Sequence, residues 1–152
     1  MKRNINLQEL SRDHHHGLLL GWKIRQGIKK GTPVESVVHY VRYFWNEALY
    51  PHFAEEEEDI LSFLNANNEL KQQTLNEHLS ISQLIEKLNT ESELLELADL
   101  LDKHIRFEER VLFPYLEMSL SEEQLNEIGQ KISISHKDFE DNYSNQFWKH
   151  EN

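Results

Sequence analysis

Two blocks of this chain, His52-Phe53-Ala54-Glu55-Glu56 and His104-Ile105-Arg106-Phe107-Glu108, set a histidine and a glutamate four residues apart. On a helix such a pair stands one above the other on one face and can reach a single point beside the axis. Both blocks continue alike, with acids at the fifth and sixth places and apolar residues at the ninth and tenth, Ile60-Leu61 and Leu112-Phe113. The pairs also fall on apolar stripes: Val34, Val38, Val41, Trp45, Ala48, His52, Glu56, Ile60 in one case, and Leu94, Leu97, Leu101, His104, Glu108, Leu112 in the other. A stripe of that period faces the core. The chain must therefore fold so that two carboxylates and their histidines meet inside it.

The rest of the sequence supplies the helices. Glycine and proline are few, Leu, Glu, Lys and Gln are common, and no alternating apolar pattern persists, so the class is all-α. A first helix is expected over about residues 7–30, its apolar face passing through Leu7, Leu10, His14/His15, Leu18, Trp22 and Ile28, with Gly31 beyond its end. Gly17 and Gly21 inside it mark either a close helix approach or room for something bound. Thr32-Pro33-Val34-Glu35 reads as the start of a second helix, with Thr32 as N-cap, Pro33 at the first position and Glu35 closing a capping box. Pro51 should kink that helix just before His52. A third helix follows the Asn65-Ala66-Asn67-Asn68 turn, over about residues 69–88, with Thr74, His78, Ile81 and Ile85 on one face. Thr90 and Glu93 form the capping box of a fourth, and Ser121 opens an additional C-terminal helix over about 121–145, packed outside the bundle. Short connections between the first four, over about residues 7–117, predict an antiparallel up-down-up-down four-helix bundle in a single domain of 152 residues.

Composition removes several functions. With 27 acidic against 16 basic residues and a formal charge of −11, the chain lacks the clustered Lys and Arg that nucleic acid or an anionic membrane surface requires. No apolar run approaches a membrane span and the N-terminus carries no apolar signal core, so a cytoplasmic protein is expected. Cysteine is absent, so any metal must be held by imidazole and carboxylate.

Each of the four helices brings a histidine to its inner stripe: His14 or His15, then His52, His78 and His104. Together with Glu56 and Glu108 they form a polar set whose burial costs several kcal/mol per group unless the members pair or share a cation. Six such ligands exceed the needs of one tetrahedral zinc and suit two ions, iron first, with manganese or zinc possible. Glu56 and Glu108 would bridge the two ions while the histidines divide between them. The open positions left on such ions would take a small diatomic ligand or peroxide.

The paired His-x-x-x-Glu blocks, the Leu112-Phe113-Pro114 that follows the second, and a histidine on each intervening helix resemble the hemerythrin-like family, also called the HHE cation-binding domain. The resemblance implies a non-haem di-iron centre with carboxylate and oxide or hydroxide bridges, bound by the helix-one histidine, His52, Glu56, His78, His104 and Glu108. It implies roles in oxygen binding, NO or redox sensing, stress response, iron handling or repair of iron centres. Oxygen-carrying members have a further histidine one turn after the helix-three ligand and a five-residue step to an aspartate in helix four. Here Ser82 and His104-x-x-x-Glu108 stand in those places, so the set is more similar to the four-His, two-Glu members involved in sensing or repair. For the first helix, His15 gives the family-like His-x-x-Leu step to Leu18, whereas His14 lies better on the Leu7 and Leu10 stripe; His15 is preferred and both are kept. Whether the chemistry is enzymatic is left open.

The remaining polar residues are read as ordinary. His136-x-x-x-Glu140 has the same spacing but lies beyond the repeat and is expected to face solvent; His39 and His150 default to surface or packing. Glu55, Glu57 and Glu58 are expected on a solvated face, Trp22, Trp45, Phe44 and Phe107 in the core, and Tyr43 or Tyr50 could offer a hydroxyl to the centre. The competing functions are an iron storage or delivery protein and a metal-free helical interaction module. No appended domain indicates a protein partner.

Overall fold

The computed structural model describes residues 2–149, and among them every regular element is helical. Five helices form a bundle: α1 (Gln8–Lys29), α2 (residues 34–60), α3 (Glu69–Lys87), α4 (residues 91–119) and α5 (Glu122–Ser135). Short 3₁₀ turns at Ile5–Leu7, Leu61–Phe63 and Phe147–Lys149 complete the regular structure.

Their boundaries follow from caps. At the end of α1 the amide of Gly31 donates to the Ile28 carbonyl and that of Thr32 to the Gly27 carbonyl. This is a Schellman closure, and it needs the positive φ of 76° that Gly31 adopts. Thr32 is thus committed to the end of α1 and does not cap α2. Pro33 occupies the N-cap position in extended conformation, no side chain caps it, and the box expected from Glu35 is not formed. The other starts agree with the sequence: Asn68 accepts from the Lys71 amide, and Thr90–Glu93 and Ser121–Gln124 close reciprocal capping boxes.

Helices α2 and α4 each carry a π turn two residues ahead of a proline. The Tyr50 amide reaches back to Trp45 before Pro51, and the Phe113 amide to Glu108 before Pro114. A proline ring in a regular helix collides with the carbonyl four residues earlier; the widened turn relieves that collision, so the irregularity expected at Pro51 takes the form of a π turn just before it and the chain stays helical beyond. A third π turn spans Glu56–Ile60. The two inward glutamates therefore each open a π turn, a feature frequent at functional sites.

The buried stripe of α1 is Leu7, Leu10, His14, Gly17, Gly21 and Ile24. Leu18 and Trp22, expected inside, are 42% and 46% exposed. The stripe turns this way because the glycines allow α1 to lie against α4: a Cβ on Gly17 would stand 2.8 Å from Ile105 Cδ1. Close approach to Ile105 accounts for that glycine, which also lines the cavity beside His14.

The C-terminal helix ends at Ser135, ten residues short of its expected limit, and the chain then runs back over the bundle without regular structure until Phe147. The four-residue spacing of Phe139, Tyr143 and Phe147 reflects packing and not a helix. Tyr143 and Trp148 pack against Tyr40 with ring centroids 5.1 and 4.9 Å away, and Phe147 and Trp148 are buried. Lys23 ties the segment down: it donates to Tyr40 Oη (2.9 Å) and Asp141 Oδ2 (2.8 Å) and lies 4.1 Å from the Trp148 ring centroid.

Two apolar clusters result. One gathers Leu20, Ile24, Val41, Phe44, Ile85, Leu97 and Phe147; the other gathers Leu7, Leu10, Ile60, Leu112, Phe113 and Ile128. Buried His14, His52, Glu56, His78, His104 and Glu108 belong to neither cluster.

The contact between Gly27 and the returning C-terminal segment can be tested. A Cβ at Gly27 would meet Phe147 Cε1 at 2.7 Å and Val37 Cγ2 at 3.1 Å. Gly27→Ala should destabilise the protein by about 1 kcal/mol, the cost of overpacking exceeding the gain in helix propensity. Urea unfolding should show this, with part of the loss recovered when Phe147→Leu is added.

Candidate metal centre

His52 and Glu56 project from α2, His104 and Glu108 from α4, His14 from α1 and His78 from α3. All six side chains are buried. Their inner atoms form two groups that share both carboxylates: His14, His52, Glu56 and Glu108, and Glu56, His78, His104 and Glu108. Glu56 turns Oε2 to His52 Nε2 (3.2 Å) and His14 Nε2 (3.8 Å), and Oε1 to His78 Nε2 (3.1 Å). Glu108 turns Oε1 to His14 Nε2 (2.7 Å), and Oε2 to His104 Nε2 (3.0 Å) and His78 Nε2 (3.5 Å). Each carboxylate thus offers one oxygen to each group.

The structure brings His14 into this set. His15, one residue on, is exposed and takes no part. The stripe argument from Leu7 and Leu10 located the helix-one histidine, and the His-x-x-Leu step to Leu18 did not, because Leu18 is itself on the outer face.

The outer nitrogen of every histidine is held by a second carboxylate. His52 Nδ1 donates to Asp13 (2.8 Å), His78 Nδ1 to Glu57 (2.8 Å), His104 Nδ1 to Glu77 (2.7 Å) and His14 Nδ1 to Glu109 (2.6 Å). An ionised carboxylate only accepts, so the proton must sit on Nδ1 and Nε2 is turned to the centre. These contacts make a closed ring: α1 holds the histidine of α2, α2 that of α3, α3 that of α4 and α4 that of α1. Sequence reasoning missed all four contacts; Glu57, expected on a solvated face, is indeed exposed and still reaches His78. A signal was present, since Asp13, Glu57, Glu77 and Glu109 are each the immediate neighbour of His14, Glu56, His78 or Glu108. Successive residues on a helix diverge by about 100°, which aims each neighbour sideways at the adjoining helix.

Aromatic rings wall the centre. Phe53 stacks on His78 with centroids 3.8 Å apart, and Phe113 on His14 at 5.4 Å. The tyrosines considered from sequence serve elsewhere: Tyr50 is exposed, and the Tyr43 hydroxyl accepts from the Asn142 amide. His39 is exposed and His150 lies outside the described residues. His136, expected in solvent, has a side chain that is largely buried and donates Nδ1 to Glu55 at 2.9 Å. A cavity of about 590 Å³ reaches His14, His52 and His104 from the side covered by Lys137, Asp138 and Phe139.

Whether these residues fit a metal is decided by what they leave unpaired. Nε2 of His52 and His104 and Oε2 of Glu56 and Glu108 are buried without a hydrogen-bond partner. Such atoms are costly in a protein interior, and all four point at the shared space, so the set fits a cation. Without one, burial disfavours the imidazolium, but the adjacent carboxylates outweigh it. His52 is pushed up to about 9 and His104 to about 9, in each case chiefly by the charge of its own helical glutamate. His78 rises to about 10 through hydrogen bonds to Glu108 and Glu56, and His14 is raised by its bonds to Glu108 and Glu109. Glu108 is held well below the carboxylate range against burial, mainly by the His104 charge.

A helical bundle with a buried carboxylate and imidazole set of this kind is a metal-binding architecture. The sequence pattern of the hemerythrin HHE cation-binding domain matches residues 6–116, and the chain belongs to that family. Comparison with curated proteins and with solved structures gives no significant match.

Two outcomes follow from the electrostatics. In the metal-free protein the raised histidines contribute stability that is complete below their ordinary value of 6.5 and is lost as pH rises through about 9 to 10. Its thermal midpoint should fall between pH 7 and 10, whereas metal uptake, which displaces those protons, should strengthen over the same range. Glu77→Gln keeps an acceptor for His104 Nδ1 but removes the charge; it should weaken metal retention against a chelator about 10–100-fold, and Glu77→Ala should weaken it further.

Proposed function

We propose that this chain is a single hemerythrin-like domain over residues 1–152, with α1 to α4 running up-down-up-down and α5 added outside. In this reading it holds two iron ions, one by His14 and His52, the other by His78 and His104, with Glu56 and Glu108 bridging. The observation that carries it is the division of the carboxylate oxygens: each glutamate already turns one oxygen to each histidine pair. A single ion would engage only one oxygen of each glutamate, whereas two ions use both.

Two irons in such a site supply open coordination and one-electron redox capacity toward O₂, NO or peroxide; manganese or zinc would bind without the same reactivity. The protein's own contribution is placement and exclusion. The Nδ1 bonds to Asp13, Glu57, Glu77 and Glu109 fix all four ring orientations, and Phe53 and Phe113 close two faces. The cavity beside His14, His52 and His104 gives a small ligand its approach. Ser82 lines a separate shallow groove with Arg42 and Trp45, so its position adds no imidazole. That supports the four-His, two-Glu form and a role in sensing, stress response or iron-centre repair over reversible oxygen carriage. A fully buried, doubly tethered ligand set also favours retention of the metal over delivery. We assign the protein to the cytoplasm, with which a cysteine-free chain is compatible. No described helix is long and apolar enough to cross a membrane.

The test is metal content after anaerobic loading with ferrous iron. Two irons per chain are expected, with a near-ultraviolet charge-transfer band on oxidation and a defined spectral adduct on exposure of the reduced protein to O₂ or NO. His104→Ala with Glu108→Ala should abolish both. Failure to take up iron, or release of iron in place of an adduct, would sink the reading.

A further inference from the structure

A second set of ligand-type side chains gathers beside the cavity. Glu9 and Asp13 come from α1, one turn apart, Glu55 comes from α2, and His136 and Asp138 lie just past the end of α5. The His136 side chain is 7% exposed. Its Nδ1 donates to Glu55, but its Nε2 is buried with no hydrogen-bond partner. That orphaned nitrogen faces Asp13 Oδ1 at 3.3 Å, Asp138 Oδ1 at 3.4 Å and Glu9 Oε2 at 3.7 Å. The donors fall into two triplets that share the imidazole, Glu9 with His136 and Asp138, and Asp13 with Glu55 and His136, the ligand atoms of each triplet lying within 4.8 Å of one another.

The unpaired atom is the stronger sign. Among the described residues, the buried side-chain nitrogens and oxygens without a partner are Arg3 Nε, four atoms of the main centre, and His136 Nε2. The signature that marks the main centre therefore recurs here. Four carboxylates surround one imidazole; against them stand Arg12, which donates to the other oxygen of Glu9 at 2.7 Å, and Lys137, between His136 and Asp138 in the chain. Even a protonated His136 would leave the group negative.

The position gives the site an approach from both sides. Glu9, His136 and Asp138 line an outer cavity of about 420 Å³, while Asp13, Glu55 and Asp138 line the larger one that reaches His14 and His52. Asp13 also joins the two sets, because its Oδ2 holds His52 Nδ1 while its Oδ1 faces His136.

We propose that His136, Glu9 and Asp138 form a separate binding site for one divalent transition-metal cation at the outer cavity, with Glu55 orienting the His136 ring and Asp13 adding negative charge beside it. Imidazole with carboxylates suits zinc, manganese or ferrous iron. The site does not depend on the main centre being di-iron.

Equilibrium dialysis of the full metal-free chain against zinc, followed by metal analysis, tests this. The wild type should bind three equivalents and His136→Ala two. His104→Ala with Glu108→Ala should lose zinc from the main centre and keep the His136 equivalent. Asp138→Asn, at a side chain 83% exposed and so harmless to folding, should weaken the third equivalent about tenfold. If the main centre holds no metal, the wild type should bind one equivalent, and His136→Ala alone should remove it; that result would support this site while sinking the other. One equivalent lost in His136→Ala supports the site whatever the main centre holds, and a stoichiometry unchanged in His136→Ala with its helical circular dichroism intact would overturn the proposal. Should His136→Ala fail to fold, an unchanged zinc affinity in Asp138→Asn would overturn it instead.

Discussion

Two carboxylates buried between two apolar clusters set the terms for the rest of this protein. Glu56 and Glu108 are fully enclosed, and an ionised carboxylate in such a place survives only where cationic or hydrogen-bonding groups surround it. Four imidazoles, one from each of four helices, meet that requirement. In doing so they fix the rotation of α1 to α4 about their axes, because a histidine displaced by one residue would face solvent, as His15 does. The polar layer therefore specifies which faces of the helices meet, while the apolar clusters around it supply the stability.

The outer carboxylates extend this logic. An imidazole held between two carboxylates has little rotational freedom, so the ring from Asp13 through Glu57, Glu77 and Glu109 preorganises the inner atoms before any cation arrives. The ring also links each helix to another by a charge-assisted bond. The π turns at Glu56 and Glu108 belong to the same arrangement, each beginning at the glutamate that the centre requires. Pro114 stands two residues beyond its π turn as Pro51 does beyond Trp45–Leu49, so each proline is accommodated by a widened turn just before it.

Beyond this layer the fold depends on contacts that run far along the chain. The segment after α5 returns to cover Tyr40 and Lys23, and its burial of Phe147 and Trp148 completes one apolar cluster. The same return brings His136 and Asp138 beside Asp13 and Glu55, so the C-terminal segment both closes the bundle and builds the wall of the cavity.

Local periodicity was enough to read the helical class, the starts of α3, α4 and α5, and five of the six inner ligand-type residues, because helix caps and i, i+4 pairing act within a few residues. It also kept His14 open through the Leu7 and Leu10 stripe. What it could not decide depended on neighbours distant in sequence. Trp22 was expected inside because it is large and apolar, yet the close approach of Gly17 to Ile105 turned that face outward. Thr32 had the chemistry of an N-cap, but its amide was taken by the preceding helix. The contacts of Asp13, Glu57, Glu77 and Glu109 went unread, and His136 looked like a surface residue, because only the tertiary structure sets each against an imidazole or a carboxylate from another element. Sequence alone determined that a helical chain must bury two His–Glu pairs; tertiary packing decided which histidine of helix one joins them and which acids hold them in place, since those contacts exist only when the helices meet.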